Sequence, residues 1–163
     1  MSPSSTARRS SATAAPSPEG RHPAIALVLA DHRRVERLFA DVHTTEEGGY
    51  IGQILDALTA HDAAEQAALY PLALALLGDG QDEAAGLVSG ALDAHREVKV
   101  QMERIRSLEG PALLEAVAVL EVLVTTHVTD EEEQLLPAIE AAATPAQLDG
   151  LAARWEQAKQ RVG

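Results

Sequence analysis

His127-Val128-Thr129-Asp130-Glu131-Glu132-Glu133-Gln134-Leu135-Leu136-Pro137 decides how this chain reads. It has an echo 66 residues earlier, His61-Asp62-Ala63-Ala64-Glu65-Gln66-Ala67-Ala68-Leu69-Tyr70-Pro71. Both stretches run His-x-x-x-Glu, then leucine four residues on, then proline after two more. On an α-helix, residues four apart are one turn apart and about 40° apart in direction. Each stretch therefore aims an imidazole and a carboxylate the same way, from the apolar stripe of its segment. Two such groups pointing into a core are costly unless something compensates them, and a bound metal is the simplest compensation.

Outward from these stretches, the rest of the chain divides into helices. Helix A is expected from His22-Pro23 to about Val42, with proline in its first turn. Its stripe is Ile25, Val28, His32, Val35 and Phe39. Helix B carries His61 and Glu65, and Pro71 is expected to kink it or end it. Helix C carries His95, helix D His127 and Glu131. Turns are expected at 44–49, 78–80 and 109–111, where glycine and proline collect. Thr144-Pro145 opens a short helix E with Leu148, Leu151 and Trp155 on one side. The expected fold is all-α: an up-down-up-down four-helix bundle over 22–142, with a C-terminal fifth helix over 143–163 packing outside it. Residues 1–21, rich in Ser, Pro, Ala and Thr, read as a disordered tail.

Composition agrees with that division. The chain has 163 residues, 46% hydrophobic but only 2% aromatic, so its core must be Leu, Val, Ile and Ala. The lack of cysteine excludes disulfides, thiolate zinc sites and cysteine-held iron–sulfur clusters. A net charge of −12 argues against nucleic acid as a partner. No apolar run is expected to reach membrane-spanning length, and the N-terminus lacks an apolar signal region, so the cytoplasm is the expected setting.

The spacing also tests whether the histidines meet. Residues equally far from the turn joining two antiparallel helices lie at the same height. His32 lies about 15 residues before the middle of the first turn and His61 about 14 after it. The pairs His61/His95 and His95/His127 match to within about two residues, or about 3 Å. A weaker repeat, Asp31-His32-Arg33-Arg34-Val35 against Ala94-His95-Arg96-Glu97-Val98, makes the chain two helical hairpins, each with a His and then a His-x-x-x-Glu. One histidine on an apolar stripe is ordinarily a satisfied core residue. Four of them sharing height and face with two glutamates point to a metal site.

Six ligands exceed the four of a structural zinc and fit two metal ions, with His32, His61, His95 and His127 terminal and Glu65 and Glu131 bridging. Imidazole with carboxylate favours iron, while manganese and zinc stay open on spacing alone. Glu132 is the rival to Glu131, but at five residues from His127 it points about 140° away. Glu36 reads as a surface residue or one backing a ligand, Asp31 and Asp62 as solvated carboxylates able to back a ligand. His22 and His43 are expected out of reach, Tyr70 is expected to pack, and Trp155 to anchor helix E in the core.

This ordered set resembles the hemerythrin-like (HHE cation-binding) proteins over about 22–142: His32, then His61-x-x-x-Glu65 with Leu69-Tyr70-Pro71, then His95, then His127-x-x-x-Glu131 with Leu135-Leu136-Pro137. The resemblance implies a bundle around two iron ions with an oxo or hydroxo bridge, meeting O2, peroxide or nitric oxide, with all six residues as ligands. Lys99, four residues after His95, stands apart from the five-histidine oxygen carriers. The four-His, two-Glu set looks more like relatives associated with peroxide breakdown. Catalase-like chemistry is the expected function; the alternative is an O2- or iron-binding sensor or storage module without turnover. No membrane or nucleic-acid partner is expected.

Overall fold

A computed structural model describes residues 20–44, 49–78 and 82–162; the side chains of 43–44 and 82–84 fall outside that description. Most of the expected tail, the loop segments 45–48 and 79–81, and the side chain of His43 therefore lie outside the described residues. What is described is helix, with no strand among the described residues. In chain order the elements are α1 (Pro23–Thr44), α2 (Gly49–Ala64), a π-helical turn π1 (Glu65–Leu69), α3 (Tyr70–Leu77), α4 (Asp82–Ile105), α5 (Gly110–Asp130), a second π-helical turn π2 (Glu131–Leu135), α6 (Leu136–Ala142) and α7 (Pro145–Val162). The run α2–π1–α3 is one continuous rod, as is α5–π2–α6. With α1 and α4 they make the expected up-down-up-down bundle.

Pro71 does not end its helix. It sits in the first turn of α3, and the rod continues to Leu77. A proline inside an α-helix lacks the N–H for the i−4 bond and crowds that carbonyl. Here the irregularity is moved upstream, where the Tyr70 N–H bonds the Glu65 carbonyl five residues back. Leu136 bonds Glu131 in the same way, just before Pro137. A π turn of this kind rotates the register locally, and both turns begin on the glutamate of a His-x-x-x-Glu stretch.

Local chemistry starts and stops the other rods. Gly110, at φ +59°, makes the reversal between α4 and α5, a backbone region that side-chain-bearing residues avoid. Thr144 and Gln147 form a reciprocal cap on α7: the Gln147 N–H donates to the threonine hydroxyl at 3.3 Å, and the Thr144 N–H to the glutamine oxygen at 2.9 Å. That helix runs 18 residues, so it is not the short element expected. It lies along α1, α2 and π1, burying Leu148, Leu151, Trp155 and Ala158. Truncating the buried indole would cost about 3–5 kcal/mol.

The apolar core falls into two clusters. One, at the π-turn end, gathers Ile25, Leu69, Leu136, Ile139, Leu151 and Trp155. The other gathers Val35, Phe39, Leu58, Met102, Leu120 and Val124. The layer between them is polar. One further expectation is corrected here: the run Gly110–Ala142 is apolar and long enough, by length and composition, to cross a membrane, with a mean hydropathy of 1.6 in its best window. A core built almost without aromatics needs dense Leu, Val and Ala. This rod faces inward with Val117, Leu120 and His127 and leaves Leu114, Val119 and Val122 exposed.

Candidate metal centre

The polar layer is made by the six residues that the spacing singled out. His32, His61, Glu65, His95, His127 and Glu131 are all buried, Glu65 completely. Their metal-binding atoms form two overlapping groups: His32, His61, Glu65 and Glu131 in one, Glu65, His95 and His127 in the other, each within 4.8 Å of one another. Glu65 belongs to both. Its Oε1 lies 3.0 Å from His61 Nε2 and its Oε2 2.9 Å from His95 Nε2. Glu131 Oε2 lies 3.5 Å from His32 Nε2 and 3.8 Å from His127 Nε2.

Several of these atoms have no hydrogen-bond partner: His32 Nε2, both nitrogens of His61, both oxygens of Glu65 and Oε2 of Glu131. Each such buried group costs about 1–3 kcal/mol. All but His61 Nδ1 converge on the same interior, and imidazole nitrogen with carboxylate oxygen is a donor set suited to a divalent transition metal. The residues fit a bound cation, which would satisfy the converging atoms together.

Burial and neighbouring charge together move the two glutamates in opposite directions. Burial opposes ionisation of Glu65, but the charge of His61 and the close imidazoles of His127, His61 and His95 hold it well below the usual carboxylate range. Burial and the neighbouring Glu65 charge push Glu131 up instead. Two carboxylates this close do not share charge equally.

Tyr70 corrects the sequence reading. It does not merely pack: its buried hydroxyl donates to Glu131 Oε1 at 2.9 Å and lies 2.8 Å from His95 Nε2. Burial, then the Glu65 and Glu131 charges, push its pKa up, so it stays a protonated donor. The hydroxyl ties one oxygen of Glu131, leaving Glu65 as the carboxylate of the pair with both oxygens unpartnered.

Three carboxylates stand behind the histidines, more closely engaged than the sequence suggests. Asp62 accepts from His95 Nδ1 and is held by Lys99 Nζ at 2.8 Å. Burial opposes its charge, yet His95, Lys99 and Gln66 bring its pKa down to about 2. Glu132, set aside as a direct ligand, bonds His32 Nδ1 at 2.8 Å and pairs with Arg33. Asp31 Oδ2 lies 3.8 Å from His61 Nδ1 and is gripped by Lys159. These carboxylates are partly buried and engaged rather than solvated. Such partners fix the imidazole's orientation and raise its basicity as a ligand. Their common feature was visible in the sequence, since each adjoins a candidate ligand. The geometry adds that each serves a histidine on another helix.

The remaining candidates stay outside. Glu36 pairs with Arg33 on the surface. His22 caps the start of α1, its Nδ1 accepting from the Ala24 N–H, and lies 3.6 Å from Asp149. A cavity of about 70 Å³ reaches all four histidines from the second core cluster, walled by Leu58, Val98, Met102, Val124 and Val128, with Asp62 and Lys99 also on its lining.

A helical bundle holding a buried histidine–carboxylate set is a metal-binding domain in architecture and chemistry. The chain belongs to the hemerythrin family: the model of the hemerythrin HHE cation binding domain matches residues 24–139. It is also 28% identical, over 142 residues, to a protein of Nostoc sp. (strain PCC 7120 / SAG 25.82 / UTEX 2576) named DNA nickase. That alignment covers 83% of this chain and 39% of the relative, so the chain spans well under half of the relative's length. No solved structure matches.

Proposed function

We propose that the protein is a non-haem di-iron protein whose six ligands are His32, His61, Glu65, His95, His127 and Glu131, and that it breaks down peroxide: two H2O2 give two H2O and one O2. The observation that carries the reading is the pair of overlapping ligand groups sharing Glu65. One group offers two imidazoles and two carboxylates, the other two imidazoles and the shared carboxylate, which leaves coordination positions for a small ligand. Two irons, when bound, supply the two-electron capacity that peroxide disproportionation needs.

The chain's own residues shape that chemistry. The apolar-walled cavity, about 70 Å³, suits a molecule of few atoms. Tyr70 holds a proton between His95 Nε2 and Glu131 Oε1. Asp62 and Glu132 hold His95 and His32 in place, and Asp31 stands near His61 Nδ1 at 3.8 Å. The proposed setting is the cytoplasm. The proposal does not extend to DNA, because a chain of net charge −12 is unsuited to a phosphate backbone.

The apolar lining of the cavity favours a second reading, reversible binding of O2 by a sensor or storage module. Protein expressed with added iron should carry about two irons per chain and evolve O2 from H2O2 above free-iron controls, with His61→Ala inactive. A long-lived, reversible O2 adduct of the di-ferrous protein, with no O2 evolved from peroxide, would replace peroxide breakdown with the binding module.

A further inference from the structure

The family match ends at residue 139, yet α7, at 145–162, reaches the polar layer. We propose that α7 is a working part of the metal centre, with Lys159 and Trp155 as positioning residues for His61. The inference rests on the metal-centre reading above.

His61 lacks the hydrogen bonds that hold His95 and His32. His95 has its Nδ1 on Asp62 and its Nε2 at the Tyr70 hydroxyl, and His32 has its Nδ1 on Glu132. Neither nitrogen of His61 has a hydrogen-bond partner, and the acceptor nearest its Nδ1 is Asp31 Oδ2 at 3.8 Å. Two residues of α7 restrain this loose imidazole. The Trp155 indole, 2% exposed, stands edge-on to the ring with centroids 5.5 Å apart and planes at 73°. It limits rotation about the imidazole's bond to Cβ and keeps water from that side.

Lys159 acts through Asp31. Its Nζ donates to both carboxylate oxygens, at 2.5 and 2.6 Å, and so points Oδ2 toward His61 Nδ1. The equivalent cations behind Glu132 and Asp62 come from inside the matched domain, Arg33 on α1 and Lys99 on α4, and are 45% and 53% exposed. Lys159 is 27% exposed and its carboxylate 15%. A better shielded pair holds its geometry more firmly than a solvated one. Without Lys159, Asp31 is free to turn to solvent, and a metal-bound imidazole at His61 would lose the carboxylate that faces its outer N–H.

The test uses the full chain, loaded anaerobically with Fe(II) and titrated against a chromophoric chelator, beside thermal unfolding without metal. Losing an outer-shell partner typically weakens metal binding by about 10–100-fold. Asp31→Asn should fall in that range, and Lys159→Ala, one step further out, should cost about three- to tenfold. Lys159→Arg should restore most of the loss. In Asp31→Asn/Lys159→Ala the second change should add little, because Lys159 acts through the carboxylate. Trp155→Phe keeps an aromatic edge and should weaken binding less than Lys159→Ala. Lys159→Ala and Trp155→Phe variants that unfold at lower temperature but hold Fe(II) as tightly as wild type would make α7 a brace only, and overturn the proposal. Wild-type protein that takes up no iron overturns the metal-centre reading itself, a result distinguishable from an α7 effect.

Discussion

The two His-x-x-x-Glu rods are built alike and end up unlike. In each, the glutamate opens a π turn, a buried leucine follows four residues on, and a proline sits in the first turn of the resumed α-helix. The difference lies in the residue before that proline. In the first rod it is Tyr70, whose hydroxyl crosses to Glu131 in the other rod. In the second it is Leu136, fully buried and apolar. Nothing returns the favour to Glu65, both of whose oxygens lack a hydrogen-bond partner. A repeated backbone device thus places two carboxylates equivalently, and one side chain then gives them different work. Glu65 keeps both oxygens unpartnered, while one oxygen of Glu131 is held by Tyr70.

That contrast is broken most directly by neutralising each carboxylate at constant size. Glu65→Gln removes an oxygen ligand from both groups and should take the chain from about two irons to fewer than one. Glu131→Gln removes one ligand from the better supplied group and should leave about one. Metal analysis after desalting decides it, and equal losses in both variants would show that the carboxylates are interchangeable.

Removing the metal exposes the cost that both rods share. The unpartnered nitrogens and oxygens destabilise the fold unless a cation engages them. A ligand at a thousand times its dissociation constant adds about 4 kcal/mol, and for a chain of this size each kcal/mol moves the midpoint by about 2–4 °C. Chelation should therefore lower Tm by about 8–16 °C. A chelated protein that melts at the same temperature would mean that the layer is tolerated without metal.

Protons compete for the same atoms. Burial opposes charge on His61, but the carboxylates of Glu65 and Asp31 override it and push the pKa up to about 10. Burial likewise opposes charge on His95, and Asp62 and Glu65 push it up to about 9. A metal takes the neutral imidazole, so loading must displace these protons. The sign is fixed: apparent affinity rises with pH by up to about tenfold per unit for each proton released. The rise should continue to about pH 9 and flatten toward 10. Competition titrations in the alkaline half of that range, or proton release in weakly buffered solution, measure it. A flat profile would mean that the imidazoles are already neutral before metal arrives.

Much of this centre was legible because helical spacing is rigid. Once His61 and Glu65, and His127 and Glu131, stand four apart on apolar stripes, the bundle's turn positions put four histidines in one layer. The outer carboxylates were only half legible. Asp31, Asp62 and Glu132 each adjoin a ligand in sequence, but their partners are His61, His95 and His32, each on a different helix. No local pattern carries that pairing, since it depends on how neighbouring helices face one another. Ala94, at the place before His95 where Asp31 precedes His32, has no carboxylate to offer. Tyr70 was misread for a different reason: an aromatic on an apolar stripe is ordinarily core, and a hydroxyl's partner a rod away leaves no trace in spacing.

The smallest expected effect bears on the side chain that separates the two rods. Tyr70→Phe makes the first rod resemble the second by deleting one oxygen from a buried position. The loss strips Glu131 Oε1 of its donor and His95 Nε2 of its hydroxyl partner while leaving the ring's packing intact. Unpairing such buried groups should cost about 1–3 kcal/mol in the protein without metal. With iron bound the cost should be smaller, because a cation can take up the freed oxygen of Glu131, and the two carboxylates then become more nearly alike. The comparison is between the drop in Tm on Tyr70→Phe with and without iron. A larger drop in the loaded protein, with loss of an intense visible absorption band, would mean that the phenol oxygen binds the metal directly and that the asymmetry of the rods extends into the coordination sphere.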